Sequence, residues 1–221
     1  MYLTIQGIVL RVTDYNDKDA LLTMLTRRHG RLTVKARGLR RKNSPLIAPC
    51  QLLAYGEFTL FEYRGQYTIN EAQSIELFTP LRRDLTKLSL GTYFAQVSEV
   101  ISQEDMPNPE LQSLLLNCLY ALSRLDLPES QVKAVFELRA ACLSGYTPDL
   151  TGCHVCGSQT PERFDLSAGM LECRNCRSPE SNGIRMLPGP GFRWHPTAGN
   201  ADGAGSHALH LLLRQQKAVF L

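Results

Sequence analysis

Four thiols carry the clearest chemical signal in this chain. Cys153-His154-Val155-Cys156 is followed, after sixteen residues, by Cys173-Arg174-Asn175-Cys176. Two C-x-x-C pairs at this separation have the spacing of a four-thiolate zinc site. Each pair bends the backbone into a knuckle that aims both sulfurs at one ion, and four thiolates complete a tetrahedron at about 2.3 Å. Gly157 follows the first knuckle, where the turn tightens. Protein fills every ligand position, so Cys153, Cys156, Cys173 and Cys176 are expected to hold one structural zinc rather than a catalytic one. Local disulfides or a redox C-x-x-C are the competing uses. Seven cysteines is an odd count, and Met1-Tyr2-Leu3-Thr4-Ile5-Gln6 shows no secretory signal; both favour the metal and a cytoplasmic location.

The second signal is charge. Arg27, Arg28, Arg31, Lys35, Arg37, Arg40, Arg41 and Lys42 fall within sixteen residues with no acid among them. The first fifty residues carry ten Lys/Arg against three Asp, whereas the whole chain nets only +3. Such local positive charge attracts a polyanion, and these eight residues are the expected DNA contacts. Alternation along a strand from Arg31 to Arg37 would put Arg31, Lys35 and Arg37 on one face. Arg27, Arg31, Lys35, Arg37, Arg40 and Arg41 are expected to supply most of the phosphate contacts. With about 4–6 of them engaging a single strand, log affinity should fall with log salt at a slope of roughly −3 to −4.

Other chemistries find little support. The dipeptide Gly-Lys never occurs, which excludes a P-loop. No acidic cluster stands ready to hold two metals, and no His-x-Glu accompanies the cysteines as a zinc deaminase requires. His207 and His210 share helical spacing, a weak metal signal near the terminus. Cys118 and Cys142 lie on apolar helical faces and read as core. No nucleophile–base pair is evident, and the chain reads as a non-enzyme.

These groups need a scaffold. Met1–Val12, Leu21–Thr26, Arg31–Ala36, Leu52–Tyr63 and Tyr67–Phe78 read as five strands, with Arg28-His29-Gly30 turning a hairpin and a basic loop running from Gly38 to Pro49. Five strands with a long loop after the third suit a small closed barrel such as an OB-fold, although strand count alone also permits an SH3-like barrel. OB-folds track single strands along such a basic face. The aromatics Tyr55, Phe58, Phe61, Tyr63 and Tyr67 must partly fill the barrel, so none is assigned to bases. After Pro80, apolar residues recur at helical spacing in three sets. Leu81, Leu85, Leu88, Phe94, Val97 and Ile101 form the first. The second runs from Leu111 to Leu122 behind Pro107-Asn108-Pro109, and the third from Val132 to Leu143 behind Pro128. Phe164, Leu166, Met170 and Leu171 would pack a small hairpin over the metal. Gly- and Ala-rich sequence follows Leu187, and a last short helix is expected from His207. No apolar run reaches the length of a membrane span.

Gly7-Ile8-Val9-Leu10-Arg11 through Tyr15, Thr26-Arg27-Arg28-His29-Gly30-Arg31 and Ala36-Arg37-Gly38-Leu39-Arg40-Arg41 together resemble the RecO family of bacterial DNA repair proteins. So does Gly145-Tyr146-Thr147-Pro148-Asp149-Leu150, which runs directly into the first cysteine pair. The resemblance covers roughly residues 1–187. It implies an α+β multidomain chain: an N-terminal OB-fold DNA-binding β-barrel (1–79), a central helical domain (80–148) and a four-cysteine, zinc-ribbon-like module (149–186). A divergent or truncated C-terminal tail (187–221) departs from the family. The implied function is a recombination mediator that binds single- and double-stranded DNA without sequence preference and anneals complementary strands. It would work with RecR and with the C-terminal tail of single-strand-binding protein to promote RecA loading, in the cytoplasm and associated with the nucleoid. The resemblance implies that the helical domain receives that tail, with Arg82, Arg83 and the apolar helix faces as the region to examine. A basic-faced zinc-ribbon adaptor for an acidic protein tail, or for RNA, is the rival expectation.

Overall fold

A computed structural model describes residues 1–165, 168–177 and 183–185 of the chain. The expected features beyond Leu187, including the short helix from His207, and Leu166 of the expected hairpin lie outside these residues.

Five strands, β1 (Tyr2–Asp14), β2 (Ala20–Thr26), β3 (Gly30–Ala36), β4 (Tyr55–Tyr63) and β5 (Gln66–Glu76), close into a barrel in the order β1-β2-β3-β5-β4. Strand β1 is long enough to serve two neighbours. Its first half pairs with β4 (Tyr2 opposite Phe61, Gly7 opposite Gly56) and its second half with β2 (Gly7 opposite Thr26, Asp14 opposite Ala20). A register shift between Val9 and Arg11 bends it between the two. The barrel closes through parallel pairing of β3 with β5, Val34 with Tyr67 and Lys35 with Thr68. This connectivity is that of an OB-fold, and it decides against the SH3-like alternative.

Alternation explains β3: Leu32, Val34 and Ala36 point inward, while Arg31, Thr33 and Lys35 stand between them on the outer side. Strand β2 does not alternate, because both of its faces are covered. Leu22 and Met24 join Ile5, Val9, Phe58 and Leu60 inside the barrel, whereas Thr23 and Leu25 are buried on the other side. Leu39, Leu46 and Cys50 from the long loop reach back into the same core.

After a 3-10 turn at Thr79–Arg83 come α1 (Leu85–Ile101), α2 (Pro109–Arg124) and α3 (Glu129–Leu143). The first two starts follow capping rules. The Asp84 carboxylate accepts the N–H groups of Thr86 and Lys87, and Asn108 accepts that of Leu111 ahead of a Pro at the first helical position. Leu111, Leu115, Leu119 and Leu122 bury one side of α2. Phe94 of α1 stacks on Phe136 of α3 with ring centroids 4.2 Å apart. Leu85, expected on the apolar stripe, is 81% exposed. It lies at the first position of α1, ahead of the buried face that begins at Gly91.

The helices dock on the outer side of β1 and β2. Gln112 of α2 donates its buried side-chain N–H to the Leu25 carbonyl at 3.1 Å. Arg11 meets the Glu99 carboxylate at 2.8 Å, and Arg31 donates to the Glu99 carbonyl at 2.9 Å. At the hairpin turn, Gly30 has φ +63°, and a Cβ there would lie 2.3 Å from the Met106 carbonyl oxygen. Only glycine lets this turn approach so closely.

The chain divides into two compact units at Ala140/Ala141. The second contains β6 (Asp149–Cys153), β7 (Arg163–Asp165), β8 (Met170–Glu172) and β9 (Gly183–Arg185) in a sheet of order β6-β8-β7-β9. Leu171 of β8 is fully buried. Among the described residues no helix is long and apolar enough to cross a membrane.

Candidate nucleic-acid interface and metal centre

The eight cations of the basic run do not form one patch. A strand rises about 3.3 Å per residue, so the length of β3 carries Arg27 and Arg28 to one end and Arg37 to Lys42 to the other. Arg31 and Lys35 lie outward on the strand, and Arg37 is exposed beyond its end.

An acid-free stretch of sequence proves not to be acid-free in space. Arg31 is spent on the helices, with the Glu99 carbonyl at 2.9 Å and the Glu104 carboxylate at 3.8 Å. Lys35 lies 3.5 Å from Asp19 and sits over the Tyr15 ring, 4.2 Å from its centroid. Arg40 pairs with Asp14. Among the described residues, Arg27, Arg28, Arg37, Arg41 and Lys42 have no ion-pair partner, and all five are exposed.

Asp19 organises the loop end of the barrel. Its carboxylate accepts the Gly38 backbone N–H at 2.8 Å and the Asn16 amide at 3.1 Å. The bond from Gly38 is the chief cause that holds its pKa below the usual carboxylate range; Asn16 and Lys35 add to it. The turn between β1 and β2 is thereby tied to the basic loop.

Two grooves receive four of the five unpaired cations; Lys42 lines neither. At the hairpin end Arg27, Arg28 and His29 face Thr4, Gln6 and Glu57 across a groove of ≈ 730 Å³. Burial pushes the Tyr55 hydroxyl up, and the Arg27 guanidinium pulls it part of the way back. At the loop end Arg37 and Arg41 face Thr59, Glu71 and Gln73 across a groove of ≈ 800 Å³, which Glu57 also lines.

The structure also brings forward groups that the sequence reading left unassigned. Tyr15 is 55% and Tyr63 60% exposed, each with a cation over its ring: Lys35 over Tyr15, and Arg64 5.2 Å from the Tyr63 centroid. Phe61 packs on Tyr2 at 5.3 Å. Tyr55 and Phe58 are buried instead. The available signal was position: Tyr15 and Tyr63 adjoin turns, where side chains of a barrel stay free.

The four expected ligands converge. Cys153, Cys156, Cys173 and Cys176 place all their sulfurs within 4.8 Å of one another. Cys156 and Cys173 are 3.7 Å apart, close to the roughly 3.8 Å edge of a tetrahedron with ~2.3 Å metal–sulfur bonds and far from the ~2.05 Å of a disulfide. The first knuckle closes through Gly157 N–H to the Cys153 carbonyl at 2.7 Å, the second through Cys176 N–H to the Cys173 carbonyl at 3.3 Å. Gly157 has φ +70°. Burial works against a Cys153 thiolate, but the N–H groups of Cys156, Cys173 and Val155 outweigh it and bring the thiol to about 6. Hydrogen bonds to Cys156 and Cys173, helped by burial and the Cys153 charge, push Cys176 up to about 12. Four sulfurs this close cannot all shed protons without a cation between them, and a thiolate-seeking dication supplies that charge. The donor set therefore fits a metal ion. Cys50 and Cys118 stand apart, with burial raising each thiol to about 12. His154 turns toward Glu172, 3.7 Å away.

Comparison with known proteins agrees across the described elements. Residues 1–78 match the family model described as Recombination protein O N terminal. Residues 82–189 match that described as Recombination protein O C terminal. The chain is 33% identical over 194 residues to the DNA repair protein RecO of Acetivibrio thermocellus, covering 85% of this chain and 76% of that protein. It is 32% identical over 188 residues to that of Alkaliphilus metalliredigens (84% and 76%), and 31% over 189 residues to that of Bacillus pumilus (85% and 73%).

Proposed function

The chain belongs to the recombination protein O (RecO) family of DNA repair proteins, and from that premise we propose that it binds single- and double-stranded DNA through its barrel and anneals complementary strands. The observation that carries this reading is the set of five exposed cations, Arg27, Arg28, Arg37, Arg41 and Lys42, which lack ion-pair partners among the described residues. A guanidinium is never deprotonated near neutral pH, and its planar fork matches phosphate oxygens. Two polyanions repel each other as they approach. A cationic barrel displaces their condensed counterions and grips backbones, leaving base edges free to pair. No sequence preference is needed for this, and the mechanism requires no bond to be hydrolysed. The four cysteines bind one zinc ion, which supplies folding energy to the module.

Within the family's function this chain would act with RecR and with the tail of single-strand-binding protein to promote RecA loading. The basic barrel is the part that reaches DNA, at the nucleoid. Lys35, Arg31 and Arg40 serve chiefly to hold the barrel's ends in shape, so the direct contacts number about five. At a slope near −0.7 per contact for single strands, the contacts together amount to about 3.5 per decade of salt, summed over the nucleic acid bound.

The test is annealing of two complementary oligonucleotides, with and without single-strand-binding protein. Acceleration that fades with salt supports the proposal. Indifference to oligonucleotides even in dilute buffer, with tight binding of an acidic peptide instead, would favour the adaptor reading.

A further inference from the structure

The two grooves share a floor. Gln6 of β1 is paired with Glu57 of β4, which is paired in turn with Gln73 of β5. One step along, Thr4, Thr59 and Glu71 repeat the row. Directly opposed residues point to the same side of a sheet, so these six form one outward-facing polar strip across three strands. Glu57 lines the hairpin groove on one side and the loop groove on the other. Arg27 and Arg28 thus stand along the β1 margin of the strip, and Arg37 and Arg41 along the β5 margin.

Charge is distributed across this trough in a definite way: cations on both margins, the Glu57 carboxylate on the central strand and that of Glu71 beside it on β5. A single phosphate backbone laid along the centre would meet the Glu57 carboxylate, with Glu71 alongside, and be held off. Neighbouring strands are about 4.8 Å apart, so β1 and β5 are separated by about 10 Å and the arginines stand outside both. We propose that the outer face of β1, β4 and β5 binds two nucleic-acid strands at once, one backbone on the Arg27/Arg28 margin and one on the Arg37/Arg41 margin, so that one chain brings two strands side by side over a polar floor that carries Glu57. This rests on the DNA-binding reading above and adds to it where each strand lies and how many one chain holds. It differs from binding on the β2–β3 face, where Gln112 and Glu99 of the helices meet Leu25 and Arg31.

The experiment counts strands per chain. Native mass spectrometry of the full chain with excess oligothymidylate, about twelve nucleotides long to fill a site of OB-fold size, reads stoichiometry directly at low salt. A donor- and an acceptor-labelled oligothymidylate, which cannot pair, read proximity by energy transfer. The wild-type chain is expected to carry two strands and to give energy transfer. Arg27→Gln/Arg28→Gln and Arg37→Gln/Arg41→Gln are each expected to carry one strand, to lose the transfer and to slow annealing on the order of tenfold, since each removes about two phosphate contacts. All four arginines are exposed, so the variants keep the fold. One strand per wild-type chain, or two strands retained by either double variant, would overturn the two-margin arrangement while leaving DNA binding intact. Failure of the wild-type chain to bind oligothymidylate at all would overturn DNA binding itself.

Discussion

The Asp19 carboxylate accepts the backbone N–H of Gly38 across 2.8 Å, and through it the turn that opens β2 holds the loop that leaves β3. The same carboxylate faces Lys35 at 3.5 Å, so one acid fixes both the path of the basic loop and one of its cations.

Because folding lowers the Asp19 pKa, its contribution to stability is fully present above the unfolded carboxylate value near 3.9 and is lost as pH falls through the lower folded value. Asp19→Ala should therefore remove part of the acid sensitivity of the barrel. It should also speed protease cleavage in residues 38–49 at neutral pH. Limited proteolysis followed by mass spectrometry checks this; an unchanged cleavage pattern would show that the loop does not depend on Asp19.

Gly30→Ala should loosen the barrel from the helices. The left-handed backbone and the collision with Met106 and Gln103 carbonyls together are worth at least about 1–3 kcal/mol. Urea unfolding monitored by circular dichroism should show a lower midpoint. Ala substituted at Gly65, which meets nothing within 4 Å, gives the comparison, since it suffers from the backbone alone.

In the helical layer Phe136→Ala removes a ring stacked on Phe94 and wholly buried. Large-to-small changes of this kind cost about 3–5 kcal/mol. A drop in melting temperature with no change in zinc content is the expected pair of measurements.

Elemental analysis should find one zinc per chain, falling to a small fraction in Cys176→Ser. Thiolates compete with protons for the metal, so zinc is retained at neutral pH and released as pH falls. A chromogenic chelator read against pH follows the release. Chelation should expose the segment from residue 149 to 177 to protease while residues 1–140 stay resistant.

Tyr63→Ala should weaken binding to a single strand by about 1–3 kcal/mol if a base stacks on this ring, without altering the unfolding curve, since the ring is largely exposed. Fluorescence anisotropy with an oligonucleotide against an abasic backbone of equal length separates stacking from charge.

The cysteine centre was legible in the sequence because its ligands lie in two short knuckles whose local turn does most of the positioning. Strands were legible through hydrophobic content and turn residues, even β2, which carries no alternation because the helices cover its second face. The partners of the cations were not legible. Asp14 and Asp19 come from a different turn than Lys35 and Arg40, and Glu99 and Glu104 reach Arg31 only because a glycine-opened hairpin lets a helix end approach. Arg31, Lys35 and Arg37 looked equivalent by alternation, yet one docks a helix, one stiffens a turn and one lines a groove. Tyr15 went unnoticed for a related reason: its value comes from Lys35 lying over its ring, a contact between residues far apart in the chain.

The clasp that completes the cylinder is short. Strands β1 and β2 are joined by seven register pairs, but β3 and β5 by two, Val34 with Tyr67 and Lys35 with Thr68. Thermal breathing must therefore start along this seam, and amide hydrogens there should exchange with solvent before those of any other junction in the barrel. Any polyanion that spans Arg37 and the neighbouring rows of β5 would act as a suture across the gap, and slower exchange at Val34 and Thr68 would record its arrival.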